Sequence, residues 1–168
     1  MFGKYDLLDF LEREAIPYIH EEHDPVLNMS DSGRLALSLE GARCKNLLLQ
    51  DKKGNHFLVV TTATKSLDLA AASIVLESKR LSFASADKLW DLLGIRAGAL
   101  SPFALLNDSG KKVRLVIDDE LSGQQIFLFH PLENNSSVSI TQATLEDFLA
   151  RIGHSADWLP LPGRAALQ

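Results

Sequence analysis

Two apolar runs joined by a short turn constrain this sequence more than any other feature. Residues 45–50 (KNLLLQ) and 56–61 (HFLVVT) are dominated by leucine, valine, threonine and phenylalanine, a pattern that is typical of strands. Between them, residues 51–54 (DKKG) combine aspartate with glycine, which favours a tight turn. The pattern predicts a β-hairpin, and therefore a fold that contains a sheet.

Helical and strand patterns follow one another along the rest of the chain without a strict βαβ rhythm. Apolar spacing and capping residues predict helices at 6–14, about 30–38, 67–77, 86–93 and 142–152. Short apolar runs predict strands at 18–20, 81–83, 113–117, 126–129 and 137–140. These elements predict one α/β domain over residues 1–168, with a core from about 4 to 162 and a mixed, largely antiparallel sheet.

Composition excludes several classes of protein. The 168 residues are 46% hydrophobic and 23% charged, which is ordinary for a soluble globular domain. No apolar run approaches the roughly 20 residues of a membrane-spanning helix. The acidic, amphipathic N-terminal stretch does not have the pattern of a signal peptide. We therefore expect a cytoplasmic protein without membrane contact, and the single cysteine, Cys44, permits no internal disulfide.

The formal net charge of −5 limits the kind of nucleic acid that the chain could bind. Phosphate contacts favour basic surfaces, so an acidic protein is not expected to bind nucleic acid broadly, and DNA binding is not expected. A local basic rim that grips one end of one RNA is still compatible with this charge.

The common catalytic motifs are missing from the sequence. It contains no GxSxG elbow, Walker loop, GxGxxG or HExxH motif. The five histidines are scattered, and no cysteine or carboxylate cluster completes a zinc set, so neither metal nor cofactor is expected. Cys44 beside Lys45 would be a nucleophile if its pKa were lowered. A small residue at a strand entrance is the favoured interpretation, because no general base can be named for it.

Three local features could carry chemistry, and each has an ordinary structural alternative. Lys45 and Asn46 open an apolar strand, where they would point into a cleft or simply be solvated. The loop 94–102 (GIRAGALSP) can bring backbone N–H groups close to a ligand, or can be a plain connector. His130 ends a strand, where it would orient a substrate or bond the backbone.

Five segments together resemble the YbaK-like family, which includes the inserted editing domain of bacterial prolyl-tRNA synthetase. They are 44–54 (CKNLLLQDKKG), 81–85 (LSFAS), 93–102 (LGIRAGALSP), 106–108 (LND) and 129–134 (FHPLEN). The last two are similar to those of one subgroup, the freestanding alanyl-tRNA(Pro) deacylases, also called PrdX or ProX proteins. The resemblance extends over about residues 7–153. Leu106 stands where the subgroup often has isoleucine, and Ala104 where glycine is common.

The resemblance implies a mixed, barrel-like sheet flanked by helices, and an enzyme that hydrolyses the ester joining an amino acid to the terminal ribose of tRNA. It implies that Lys45 holds the terminal phosphate or ribose, that Asn46 orients the substrate, and that the loop at Gly98 supplies backbone donors. The residues that it implies for substrate binding are Ala99, Leu100, Ser101, Pro102, Phe103 and His130. In this family the ribose hydroxyl is thought to help activate the water, which would explain the lack of an obvious general base.

The implied substrate is proline tRNA mischarged with alanine, contacted at its acceptor end, and prolyl-tRNA synthetase is a further implied partner. A synthetase pocket for proline cannot strongly reject the smaller alanine, because each missing methylene is worth only about 1–3 kcal/mol. A second sieve is therefore needed. Two alternatives stay open: a deacylase for serine, threonine, cysteine or a non-protein amino acid, and a non-catalytic module that binds tRNA or a synthetase.

Overall fold

The structure, a computed structural model, describes residues 1–24 and 39–165. The helices in these ranges are α1 (Lys4–Arg13), α2 (Leu69–Val75), α3 (Ala86–Leu93) and α4 (Gln142–Arg151), with short 3₁₀ helices at Pro102–Asn107 and Asp119–Leu121. The strands are β1 (Ile19–Glu22), β2 (Ala42–Asp51), β3 (His56–Thr62), β4 (Leu81–Phe83), β5 (Val113–Asp118), β6 (Ile126–Phe129), β7 (Ser136–Thr141) and β8 (Ala156–Leu159). The helix predicted at about 30–38 lies outside the described residues.

The strands form one mixed sheet in the order β1-β7-β6-β2-β3-β5-β8, with β4 also paired to β2. The predicted hairpin is the β2–β3 pair, in which Cys44 lies opposite Thr62 and Gln50 opposite His56. Antiparallel pairing also joins β1 to β7, β6 to β7 and β2 to β4. The pairs β2–β6, β3–β5 and β5–β8 are parallel. The prediction of a mixed sheet flanked by helices is confirmed.

Side chains that alternate along the strands enter a separate core on each face of the sheet. Along β3, Leu58 and Val60 belong to the larger core, whereas Phe57 and Val59 belong to the smaller one. This is the two-residue period of a strand. Helices α1, α3 and α4 contribute to the larger core, and α2 and the segment at Leu161 contribute to the smaller core. No helix of the described ranges has the length and apolar character needed to cross a membrane.

Predicted and observed elements differ mainly at the two ends of the chain. Helix α1 begins at Lys4, where the Gly3 N–H donates to the Asp6 carboxylate at 2.8 Å and so caps the helix. The sequence predicts no element after residue 152, but β8 (Ala156–Leu159) forms there, with Trp158 opposite Ile117 of β5. Parallel pairing of this kind joins distant segments and leaves no local pattern in the sequence.

One edge of β2 pairs with a different strand at each of its ends, and this leaves a gap in the sheet between the two pairings. Residues 44–50 of β2 pair with β3 on one edge. On the other edge, β6 pairs with residues 42–43 and β4 pairs with residues 49–51. Between these contacts no strand of the described ranges pairs with this edge. The close approach of β6 requires Gly41, because a Cβ there would lie 3.0 Å from the carbonyl carbon of Phe127.

Phe103 provides a test of the larger core. Its side chain is fully buried, and its ring lies edge-on to the rings of Phe148 and Phe129, with centroids 5.2 and 6.1 Å away. We expect Phe103→Ala to lower the free energy of unfolding by about 3–5 kcal/mol, because it leaves a cavity. Phe103→Leu keeps most of the volume and should cost less. Chemical denaturation measures both, and an alanine variant as stable as the parent protein would contradict the packing role.

Candidate active site

A cleft of about 890 Å³ lies where β4 and β6 separate along the edge of β2. Its walls come from β2, from the end of β6, from the loop 65–69 and from the loop that contains Gly98 and Leu100. Phe83 stands at the β4 edge of the cleft with 59% of its surface exposed. Cavities of several hundred cubic ångströms are typical of sites for small ligands or for the end of a larger one.

The cleft brings together residues that are distant in the sequence. Five of the nine residues predicted for the site line it: Lys45, Asn46, Gly98, Leu100 and His130. The other four are buried and do not belong to its lining: Ala99, Ser101, Pro102 and Phe103. The loop 98–103 therefore presents Gly98 and Leu100 to the cleft and places Ala99 and residues 101–103 behind its wall.

Lys45 lies within β2 and not at its start, because the strand begins three residues earlier, at Ala42. Its side chain is half-buried, and Nζ donates to the carbonyl oxygen of Lys65 at 2.6 Å. This bond uses one of the three N–H donors of the ammonium group. Within residues 1–24 and 39–165 no other partner uses the remaining two donors, which can therefore serve a ligand in the cleft. Lys45 is therefore not a solvated residue at the end of a strand, which was the alternative interpretation.

A buried carboxylate anchors the loop that follows β3. The Lys65 ammonium donates to Asp118 at 2.7 Å, to Glu120 at 2.8 Å and to the Leu161 carbonyl oxygen at 2.7 Å. The Thr61 hydroxyl donates to the same Asp118 oxygen at 2.6 Å. Burial alone would raise the pKa of Asp118, but the hydrogen bonds from Lys65 and Thr61 outweigh it and lower that pKa. The carboxylate is therefore ionised, and it ties the loop to β3, β5 and the C-terminal segment.

His130 is fixed at the end of β6 by two contacts with backbone atoms. Its Nδ1 lies 2.9 Å from the carbonyl oxygen of Ser136, which can only accept, so Nδ1 carries the proton. The Ser101 hydroxyl donates to the His130 carbonyl oxygen at 2.7 Å. Burial, with a contribution from nearby His23, lowers the pKa of His130 although the bond to Ser136 acts in the opposite direction. The ring is neutral at pH 7, and its Nε2 is left as an acceptor.

The amide oxygen of Asn46 is buried and has no hydrogen-bond partner among the described residues. A buried polar atom that stays unpaired costs about 1–3 kcal/mol, so such atoms call for a specific explanation. Asn46 lines the cleft beside Lys45. Asn46 therefore places an unpaired acceptor in the wall of the cleft, where it is covered from solvent.

Gly98 and Cys44 contribute to the cleft in different ways. Gly98 has a φ of 87°, a conformation that side chains disfavour, and it brings backbone directly to the surface of the cleft. The N–H of the next residue, Ala99, is used within the loop, donating to the Arg96 carbonyl oxygen at 3.2 Å. Burial raises the pKa of the Cys44 thiol to about 12, which supports a structural and not a nucleophilic role. Within the described ranges no cluster of three or more histidine, cysteine or acidic side chains is placed to hold a metal.

The charge of the cleft differs from the charge of the whole chain, which is −5. Among the described residues, four cationic side chains line it against one carboxylate, that of Asp68; the cations are Arg43, Lys45, Lys65 and Arg164. Such a local excess of positive charge attracts a phosphate-bearing ligand. Motif spacing gave no signal for Lys65 or Arg164, because only the fold brings them to the cleft. Phe83 was inside the LSFAS segment but was not singled out.

The mixed sheet carries a cationic, partly apolar cleft. A cleft of this kind suits the phosphate-bearing end of a ligand. Residues 23–148 match the model of the aminoacyl-tRNA editing domain family. The chain belongs to this family, and it is accordingly an enzyme of the aminoacyl-tRNA deacylase class, as the sequence predicted.

Relatives and solved structures agree with this assignment. The prolyl-tRNA editing protein ProX of Acetoanaerobium sticklandii is 33% identical over 156 residues, covering 92% of this chain and 95% of the relative. Prolyl-tRNA synthetase associated domain-containing protein 1 of Danio rerio is 33% identical over 152 residues, covering 89% of this chain and 83% of the relative. A crystal structure of a candidate trans-editing enzyme for prolyl tRNA synthetase has the same fold, with a TM-score of 0.69, 17% identity and coverage of 95% and 98%.

The protonation state of His130 can be measured directly. Because its pKa in the folded protein is lowered, we expect its ring signals to titrate below the ordinary value of 6.5. The resulting contribution to stability is complete above the pKa of the unfolded chain and is lost as pH falls towards the folded pKa. NMR titration tests this, with His130→Asn used to assign the signal. A pKa for His130 at or above the ordinary value would contradict the neutral, backbone-bonded ring.

Proposed function

We propose that this chain hydrolyses the ester of mischarged proline tRNA in trans, and that alanine is the amino acid it removes. The observation that carries the proposal is the convergence of Lys45, Asn46, Gly98 and His130 on one cationic cleft. The name of the ProX relative supports proline tRNA as the substrate. The subgroup motif around His130 supports alanine. The name of the Danio rerio relative also agrees with prolyl-tRNA synthetase as a partner.

Each side chain has an assigned role that follows from its contacts. The Lys45 ammonium keeps its bond to the Lys65 carbonyl oxygen and donates to the terminal phosphate or ribose of the tRNA. The unpaired Asn46 oxygen accepts from the α-ammonium of the aminoacyl group and so orients the ester. The neutral His130 ring accepts a hydrogen bond from the ribose or the terminal adenine. The backbone N–H of Gly98 is the donor assigned to the ester carbonyl, because the Ala99 N–H is already used within the loop.

The reaction needs no ionised protein nucleophile. Water attacks the ester carbonyl, the bond to the ribose oxygen breaks, and that oxygen receives a proton, which leaves free amino acid and tRNA. The ester is already activated, so a correctly placed water and stabilisation of the developing oxyanion suffice. The protonated Cys44 thiol is consistent with this, because burial raises its pKa to about 12. The ribose hydroxyl next to the ester is the natural group to assist the water.

Discrimination between alanine and proline then depends on size. A synthetase cannot strongly reject an amino acid smaller than its own, since a missing methylene is worth only about 1–3 kcal/mol. An editing site works in the opposite sense, because it can exclude the larger, cognate residue by steric clash. Leu100 and Phe129 line the cleft and are mostly buried. They supply an apolar wall against which the larger proline ring would clash.

A panel of mischarged tRNAs tests the substrate. We expect the purified protein to release alanine from alanyl-tRNA(Pro) and to leave prolyl-tRNA(Pro) intact, because the larger ring is excluded from the cleft. Release of labelled amino acid over time measures both rates. Faster release of serine, threonine, cysteine or a non-protein amino acid would replace alanine as the substrate. Binding of these tRNAs without release of any amino acid would refute hydrolysis itself.

Substitution of Lys45 tests its proposed role in holding the terminal phosphate or ribose of the tRNA. Lys45→Ala should reduce kcat/KM for the preferred mischarged tRNA by about 100-fold, the usual consequence of losing one donor from a preorganised site. The matched control is Lys52→Ala, which removes an equal charge in the exposed β2–β3 turn, outside the cleft. Thermal unfolding of both variants checks that they fold. A properly folded Lys45→Ala protein with unchanged kcat/KM would eliminate the role assigned to Lys45.

A further inference from the structure

Part of the cleft lining comes from the C-terminal segment, residues 163–165. Arg164 and Ala165 line the same cleft as the strands that carry predicted site residues. The region that matches the editing family ends at residue 148, and the core predicted from the sequence ends at about 162. The segment therefore adds to the site a surface that neither the family match nor the motifs include.

The segment is held in place by backbone contacts with the loop that follows β3. The Arg164 N–H donates to the Ser66 carbonyl oxygen at 2.7 Å, and Gly163 forms a β-bridge with Leu67. The Asp68 N–H donates to the Pro162 carbonyl oxygen at 2.9 Å. These contacts fix the direction of the chain past the cleft, so the position of Arg164 is built into the fold.

The cations around the cleft differ in how many of their donors are already used. All three N–H donors of Lys65 are engaged by protein oxygens. Lys45 has one donor engaged. The Arg164 side chain is exposed and, in the part of the chain that the structure describes, its guanidinium has no hydrogen-bond or ion-pair partner. A guanidinium with free donors binds a phosphate group through two parallel hydrogen bonds.

We propose that Arg164 binds a backbone phosphate of the tRNA acceptor end, and that the C-terminal segment is part of the substrate site. This inference rests on the proposed function. An aminoacyl ester held near Lys45 and His130 requires the RNA strand to leave the cleft across its rim. Arg164 lies on this rim, on a segment that is fixed to the same loop as the Lys45 ammonium. A phosphate there meets a cation that has no competing protein partner in the described ranges.

Two substrates separate phosphate binding from a general effect on the cleft. The first is the preferred mischarged tRNA, and the second is the same amino acid esterified to adenosine, which has no phosphate. Arg164→Ala should raise KM for the tRNA by about 3- to 10-fold with little change in kcat, as expected for a charge on the rim of a site. The binding constant of tRNA falls as salt rises, and the slope of its logarithm against the logarithm of salt concentration should become shallower by about 0.7 in Arg164→Ala. This is the value for one phosphate contact on a single strand. Activity on the aminoacyl adenosine should not change.

Two further variants sharpen the result. Arg164→Lys should recover part of the affinity for tRNA, because it restores the charge without the fork-shaped donor set. Arg13→Ala removes an exposed arginine from the end of α1, outside the cleft, and should leave KM and the salt dependence unchanged. Thermal unfolding confirms that each variant is folded before kinetics are compared.

The possible outcomes separate this inference from the proposed function. A parent protein that hydrolyses neither substrate refutes the proposed function. An active parent with an unchanged KM in Arg164→Ala overturns the inference alone. An Arg164→Ala variant that is impaired equally on tRNA and on aminoacyl adenosine also overturns it, because the residue would then act on the shape of the cleft. A loss restricted to tRNA, with the reduced salt dependence, establishes the phosphate contact.

Discussion

The ion pair between Asp118 and Lys65 is the interaction on which the geometry of the cleft depends. Asp118 has no exposed surface, and the Lys65 ammonium and the Thr61 hydroxyl reach one of its oxygens at 2.7 and 2.6 Å. Ionised carboxylates are stable in such a place only when they are paired and hydrogen-bonded. Because the Lys65 carbonyl oxygen in turn accepts from Lys45 at 2.6 Å, a buried structural charge helps to fix a cation that lines the cleft. The stability of this loop and the geometry of the cleft are therefore linked.

The sequence predicted those parts of the fold that have a local cause. The β2–β3 hairpin follows from two apolar runs and a turn, and α3 ends at Gly94 with a φ of 64°, as its capping pattern indicated. The sequence predicted a mixed sheet but not which strands pair in parallel, nor β8, because these partners are distant along the chain and alternating side chains do not encode them. For the same reason the motifs identified Lys45 and His130, whereas Lys65 and Arg164 became visible only when their segments met at the cleft.

Some of the residues that the motifs named line the cleft, and others lie behind its wall. The loop 98–103 was expected to contact the substrate throughout, yet Ser101 and Phe103 lie behind the wall. Ser101 donates to the His130 carbonyl oxygen at 2.7 Å, and Phe103 packs against Phe129, the residue before this histidine. A motif records which residues are required, and it does not separate those that touch a ligand from those that hold the contacting residues in position. Burial and hydrogen-bond partners make that separation.

The acidic composition of the chain and its proposed tRNA substrate are compatible because charge acts over short distances in salt. At physiological ionic strength, interactions between exposed charges fade beyond about 8 Å, so the net charge of −5 matters less than the residues at the cleft itself. There the cations outnumber the carboxylates, and Lys65 is neutralised by Asp118 and Glu120. What remains is a small number of cationic donors at the cleft, where the acceptor end is proposed to bind. An arrangement of this kind favours the end of one RNA over long nucleic acid, since the residues outside the cleft are on balance acidic and repel further phosphates.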